Sequence, residues 1–130
     1  MRLLLDTHVL LWWATADRRL TRTVRQTIAS ADNDVSISSV TFWEIAIKSA
    51  LGRIDVDLAE LHAAVNADGL EEVPVRISHA LRVQSLPDHH RDPFDRMLIA
   101  QSIVEGRRLM TRDERILEYA GVAGFDPLPA

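Results

Sequence analysis

The stretch RLLLDTHVLLWWA, residues 2–14, decides the fold. Residues 2–6 form an apolar run too short to be a helix by itself, and Thr7 behind it can cap one, so the run reads as a strand. Residues 8–14 then read as a short helix. A strand running directly into a helix opens an alternating α/β chain, and the remaining sequence repeats that alternation.

A second helix is expected over residues 20–30, where Leu20, Val24, Thr27 and Ile28 share one side, with Asn33 and Asp34 ending it. Residues 35–38 alternate like a strand. Ser39 can cap a largely apolar helix over 40–51, which Gly52 stops. Asp57 opens a helix over 58–68 closed by Gly69, and 72–75 is a weak strand. Ser78 is expected to cap a short helix reaching about Ser85. The polar segment LPDHHRD, residues 86–92, reads as a loop. Asp92 followed by Pro93 is a strong helix start, and Gly106 a stop. A strand over 109–111, a helix over 114–120 and an edge strand over 122–125 complete the chain. Strands alternating with helices imply a three-layer α/β/α architecture around a central, mostly parallel sheet. A length of 130 residues suits a single domain over 1–130.

Composition narrows the function. With 47% hydrophobic and 26% charged residues the chain is ordinary for a globular protein, and no apolar run approaches the roughly 18 residues of a membrane span. The N-terminus could be mistaken for a signal peptide, but Asp6 and His8 interrupt it, so it is read as part of the fold. The absence of cysteine excludes thiolate chemistry and suits a reducing cytoplasm. A net charge of −4 argues against a generic nucleic-acid binder. Yet of the fifteen basic residues only Lys48 is lysine, and arginine's planar fork suits phosphate contacts. Arg18, Arg19, Arg22 and Arg25 form one cluster, and Arg107, Arg108, Arg112 and Arg115 surround Asp113. Each cluster is either a solvated face or a binding patch.

Four acids carry the chemical argument: Asp6, Glu44, Asp95 and Asp113. Each follows or interrupts an apolar segment, and carboxylates driven toward a core need a partner there. Asp6 and Asp113 sit at carboxyl ends of expected strands, where open parallel sheets bind ligands, although each alone is also explained as a helix N-cap. Glu44 lies in a helix apolar on nearly every side; its alternative role is an exposed i,i+4 pair with Lys48. Asp92 is accounted for as a cap. Asp95 stands one turn before Leu98 and Ile99, on the stripe expected to face the sheet, or else serves as an acidic first-turn residue. Convergence of the four would crowd negative charge and favour a divalent cation. Oxygen-only ligands select Mg²⁺ or Mn²⁺ over zinc, and such a site suits phosphodiester hydrolysis. An aspartyl-phosphate mechanism at Asp6 is set aside, because the second acid it needs two residues on is replaced by His8.

In their order, LLLDTHVLLWW, SSVTFWEIAIKSALGRI, HRDPFDRMLIAQS and LMTRDERILEY resemble the PIN-domain ribonucleases, especially the VapC-type toxins of bacterial toxin–antitoxin pairs. The resemblance runs from Arg2 to about Phe125, and the family's acidic quartet falls on Asp6, Glu44, Asp95 and Asp113. It implies a PIN-like α/β/α fold, Mg²⁺ or Mn²⁺ dependence, endonucleolytic RNA cleavage and homodimerisation. It also implies inhibition by a small VapB-like antitoxin, through which the pair contacts DNA. The family's hydroxyl residue near the quartet corresponds to Thr111, which either bonds a carboxylate or metal-bound water or serves as a cap.

Three further features admit two readings. Trp12 and Trp13 cannot point the same way on one helix, and by resemblance that helix either offers a groove to the antitoxin or belongs to the core. His89 and His90 read as solvated loop residues rather than metal ligands, and His8 either approaches the substrate phosphate or is structural. The rival to an enzyme is a non-catalytic PIN-like interaction module, whose signature would be a missing quartet residue; none is missing.

Overall fold

The computed structural model describes residues 1–130. Five strands form one sheet: β1 (Arg2–Leu5), β2 (Asp34–Ser38), β3 (Glu71–Val73), β4 (Arg108–Thr111) and β5 (Leu128–Pro129). The helices are α1 (Thr7–Ala14), α2 (Arg22–Ala29), α3 (Ser39–Ala50), α4 (Leu58–Ala67), α5 (Ile77–Gln84), α6 (Pro93–Glu105) and α7 (Glu114–Leu117), the last continued by a 3₁₀ turn over Glu118–Gly121. None is long and apolar enough to cross a membrane.

Strand order is β3-β2-β1-β4-β5, and every pairing is parallel. A parallel sheet is covered on both faces, which is why β1 carries three consecutive buried leucines after Arg2. Successive side chains alternate between faces. Leu3 and Leu5 accordingly join a core with Val9, Leu10, Val24, Ile28 and Val65, whereas Leu4 joins a second core with Leu98, Ile99, Ile116 and Tyr119. The sheet is thus the middle of three layers, as expected, and wholly rather than mostly parallel.

The chain leaves β1 toward β2 on one side and later returns to lay β4 on the other. The crevice beyond the carboxyl ends of β1 and β4 is therefore the switch point at which sheets of this kind bind ligands. Asp6 follows β1 there, with its backbone N–H bonded to the Met110 carbonyl at 3.0 Å, and Asp113 lies two residues past β4.

Several expected boundaries shift for local reasons. Asp6, not Thr7, caps α1, and Ser38, not Ser39, caps α3 by accepting from the Val40 N–H at 3.0 Å. Thr21 caps α2, which shortens it to eight residues. Ser78 caps nothing: α5 begins at Ile77 and its entry is fixed by the Arg76 N–H donating to His79 Nδ1 at 2.9 Å. The final strand is Leu128–Pro129 rather than 122–125, because the 3₁₀ turn carries the chain past that segment and buries Phe125 in the second core. Asp92 and Gly106 bound α6 as read, with Gly106 in the left-handed region at φ 63°.

Candidate active site

Asp6 is 3% exposed. One oxygen, Oδ1, accepts from the Thr7 N–H at 2.6 Å, and Oδ2 accepts from the Thr111 hydroxyl at 2.7 Å. Burial pushes its carboxyl above the ordinary value of 3.8, against the pull of the Thr111 bond and the nearby His8. The same Thr111 hydroxyl accepts from the Asp113 N–H at 3.0 Å. This threonine therefore ties the ends of β1 and β4 together, which makes it a carboxylate-bonding residue as well as a turn-forming one. Thr111→Val deletes both bonds and strands a buried carboxylate oxygen. It is expected to lower stability by about 1–3 kcal/mol in urea titration, whereas Thr111→Ser retains it.

Glu44 is also 3% exposed, in the second turn of α3. Its Oε1 accepts from the Thr7 hydroxyl at 2.7 Å, so Thr7 bridges Asp6 and Glu44 with its amide and its hydroxyl. Oε2 pairs with Lys48 Nζ one turn on. The i,i+4 pair anticipated as an alternative does form, but around a buried carboxylate rather than on a solvated face.

Asp95, 7% exposed, lies in the first turn of α6. Burial, followed by repulsion from Asp92, Asp6, Asp113 and Glu44, pushes its carboxyl up to about 8. The other three members of the quartet thus act electrostatically on Asp95, and so does Asp92, which caps α6 by accepting from the Phe94 and Asp95 N–H groups at 2.9 and 3.0 Å. Asp113 is more open. Its partial burial raises its carboxyl, but hydrogen bonds from the Arg115 side chain and backbone outweigh this and hold it below the ordinary value.

The surprise is His90. Far from being a solvated loop residue, its ring packs edge-on to the buried Tyr119 with Nε2 at 3.2 Å from Asp95 Oδ2 and Nδ1 at 2.9 Å from the Tyr119 hydroxyl. Burial pulls its pKa below 6.5, so near neutral pH the ring is uncharged; Nε2–H then donates to Asp95 and Nδ1 accepts from Tyr119. Arg96 fixes the loop by donating to Tyr119 Oη at 3.0 Å and the Pro87 carbonyl at 2.8 Å. His89 is exposed as expected, although its ring also lies edge-on to Tyr119 at 4.8 Å. The only sequence signal for His90 was its position five residues before Asp95; its decisive contact, Tyr119, is remote in the chain.

Asp6 and Asp113 line a cleft of about 320 Å³ with His8, Trp12, Arg19 and Arg112. One arginine from each sequence cluster therefore reaches the same place. Trp12 and Trp13 diverge: Trp12 lies under those guanidiniums, while Trp13 donates through Nε1 to Asp68 at 2.9 Å. Both are half-buried against the first core, Trp12 at the cleft and Trp13 at the end of α4.

No group of three or more acidic or histidine side chains is arranged to hold a metal ion, because the carboxylates turn to the donors at hand, Thr7, Lys48, Thr111 and Arg115. The donor set nonetheless fits a hard divalent cation. All four groups are oxygen ligands, and the repulsion concentrated on Asp95 is what a cation would relieve.

A PIN-domain family model matches residues 3–122. Ribonuclease VapC22 of Mycobacterium tuberculosis (strain ATCC 25618 / H37Rv) is 31% identical over 118 residues, covering 89% of this chain and 90% of that protein. Among solved structures, VapBC2 from Rickettsia felis, bound to a DNA fragment from its promoter, superposes with a TM-score of 0.72 at 12% identity, covering 99% of this chain and 98% of that one. The toxin–antitoxin pair VapBC-5 from Mycobacterium tuberculosis superposes with a TM-score of 0.67 at 20% identity, with the same coverage. The two structures establish the fold and the sequence match the kinship: this chain belongs to the PIN-domain family, among its VapC proteins.

Proposed function

We propose that the protein is a Mg²⁺- or Mn²⁺-dependent endoribonuclease, the toxin of a toxin–antitoxin pair, with Asp6, Glu44, Asp95 and Asp113 as both metal ligands and catalytic residues. The observation that carries this reading is the buried Asp95 carboxyl, raised to about 8 beside the switch point by burial and by the other acids around it. A structural aspartate has no reason to be kept there. A divalent cation held by the four supplies positive charge at the scissile phosphate and lowers the pKa of an attacking water.

The chain's own residues prepare that chemistry. Thr7 and Thr111 fix the Asp6 carboxylate from both oxygens, and the Thr7 hydroxyl holds Glu44 beside it. Neutral His90 orients Asp95 through Nε2–H. Arg115 keeps Asp113 ionised near neutral pH. The phosphate-carrying strand enters by the cleft that Asp6 and Asp113 line.

The protein acts in the cytoplasm as a homodimer and is inhibited by a small VapB-like antitoxin, through which the pair contacts DNA. The VapC kinship and the antitoxin-bound relatives support this arrangement. So does the placement of large apolar side chains in solvent on α3, at its C-cap and on α5: Trp43, Leu51, Ile77 and Leu81 are 62–80% exposed, more than an isolated surface residue requires.

Sequencing of RNA ends after induced expression tests the reading. Wild-type protein is expected to generate new internal ends at a restricted set of sites, and Glu44→Gln none. Identical end profiles from the two would favour a non-catalytic interaction module instead.

A further inference from the structure

Resting on the ribonuclease reading, we infer that Arg112, held over the Trp12 indole, is a phosphate-binding residue that grips the RNA strand one or more nucleotides from the scissile bond. Four observations meet at this point. The Arg112 guanidinium stands 4.8 Å from the Trp12 ring centre and that of Arg19 5.1 Å, so two cations share one indole. Both line the cleft that contains Asp6 and Asp113.

The two arginines differ in their counter-charges. Arg19 is already neutralised: Nε and one terminal nitrogen bond the two oxygens of Asp17 at 3.1 and 2.8 Å, and this pairing holds the Asp17 carboxyl down to about 2. Arg112 has no side-chain carboxylate. Its neighbour Asp113 is taken by Arg115, and its own N–H groups donate to main-chain oxygens of Ala130 and Arg19. Those bonds fix the guanidinium and leave one terminal nitrogen uncommitted. Arg19 in turn is anchored through a loop stitched to α2, where Arg25 donates to the carbonyls of Leu20 and Asp17.

A rigid guanidinium stacked on an aromatic ring with one terminal nitrogen free presents its N–H edge in a fixed direction, which matches a phosphodiester oxygen at little entropic cost. The location matters because the chain as a whole is acidic, at −4. A polyanionic strand is repelled by the protein at large and by the carboxylates lining the cleft, so a local cation beside them is required to seat it. The nucleotide carrying that phosphate brings its base to the indole–guanidinium stack, where contact is tolerant of base identity. Arg112 therefore contributes to strand capture and placement rather than to bond cleavage.

The test uses the full chain carrying Trp13→Phe and Trp43→Phe, which leaves Trp12 as the reporting indole, with Asp95→Asn added to prevent turnover. The probe is a short single-stranded oligoribonucleotide of mixed sequence in the presence of Mg²⁺. The oligonucleotide is expected to change Trp12 emission saturably. Arg112→Gln is expected to weaken binding about tenfold, the size of one charge-assisted hydrogen bond. It should also flatten the slope of log affinity against log salt by about 0.7, the contribution of one phosphate on a single strand. Arg112→Lys keeps the slope and loses less affinity. In the otherwise wild-type enzyme Arg112→Gln raises KM and leaves kcat within about twofold, a split that general destabilisation does not produce.

Unchanged affinity and salt slope in Arg112→Gln overturn the inference, and so does Trp12 emission indifferent to saturating oligonucleotide. If Arg112→Gln fails to fold, the emission result and the Arg112→Lys slope decide alone. A protein that cleaves RNA while Trp12 stays silent loses this inference but keeps its ribonuclease reading. One that binds RNA through Arg112 and never cleaves it loses the ribonuclease reading only.

Discussion

Asp95→Asn is expected to lower RNA cleavage by about 10²–10³-fold or more while raising the melting temperature of the metal-free protein. Both effects have one origin. The carboxylate is kept where burial and four neighbouring acids oppose its charge, so the fold carries a cost that function uses. Asparagine keeps the shape and can still accept from His90 Nε2–H, but removes the charge on which ligation and transition-state electrostatics depend. Each unit of pKa displacement is worth about 1.4 kcal/mol. Relief of even half the displacement of Asp95 corresponds to roughly 2–3 kcal/mol, enough to move the melting temperature by roughly 5 °C or more. The pH dependence gives the sign independently. The folded-state pKa, about 8, lies above the unfolded value near 3.8, so between these limits the folded chain binds more protons than the unfolded one. Wild-type stability therefore falls as pH rises from 4 to 8, and this component disappears in Asp95→Asn. A variant that cleaves normally, or melts lower with an unaltered pH profile, contradicts the assignment.

The second large effect is stabilisation by divalent cations that grows with pH. Ligation requires ionised carboxylates, and Asp95 is the group that resists ionisation, so binding must displace its proton below pH 8. Mn²⁺ or Mg²⁺ at about a hundred times its dissociation constant stabilises by about 2.7 kcal/mol, read as a rise in melting temperature. The rise is expected to be clear at pH 8.5, smaller at pH 6, and absent from Asp95→Asn at either. Ligation also requires Glu44 to exchange Lys48 for the cation, so Lys48→Met should shift the response to lower metal concentration. A wild-type protein indifferent to both metals at pH 8.5 would remove the metal from the account.

The layers of the fold were legible because β1 and the helices behind it keep their periods over several residues. The burial of two of the proposed ligands was legible for a related reason: Glu44 and Asp95 stand on faces too apolar for a solvated charge. Chain-local reading failed where the deciding partner is distant. His90 looks like a polar loop residue until Tyr119, twenty-nine positions away, stacks on it. Arg19 and Arg112 belong to clusters ninety-three residues apart that meet over Trp12. The cap errors were smaller, since Asp6 and Ser38 each stand one residue before the threonine or serine chosen. At the end of the chain, the 3₁₀ turn displaced the last strand because burial of Tyr119 and Phe125 outweighed the weak strand propensity of residues 122–125.

Metal-dependent RNA cleavage by four acids beyond the carboxyl ends of the strands is the proposal on which the rest depends. Its most direct test is cleavage of a single-stranded RNA by the purified protein with Mn²⁺, with a chelator, and with Asp95→Asn in place of wild type. Internal cleavage only by the wild type with metal is the predicted result. Cleavage that persists with chelator or in the variant, or none in any arm from protein freed of its antitoxin, would contradict it.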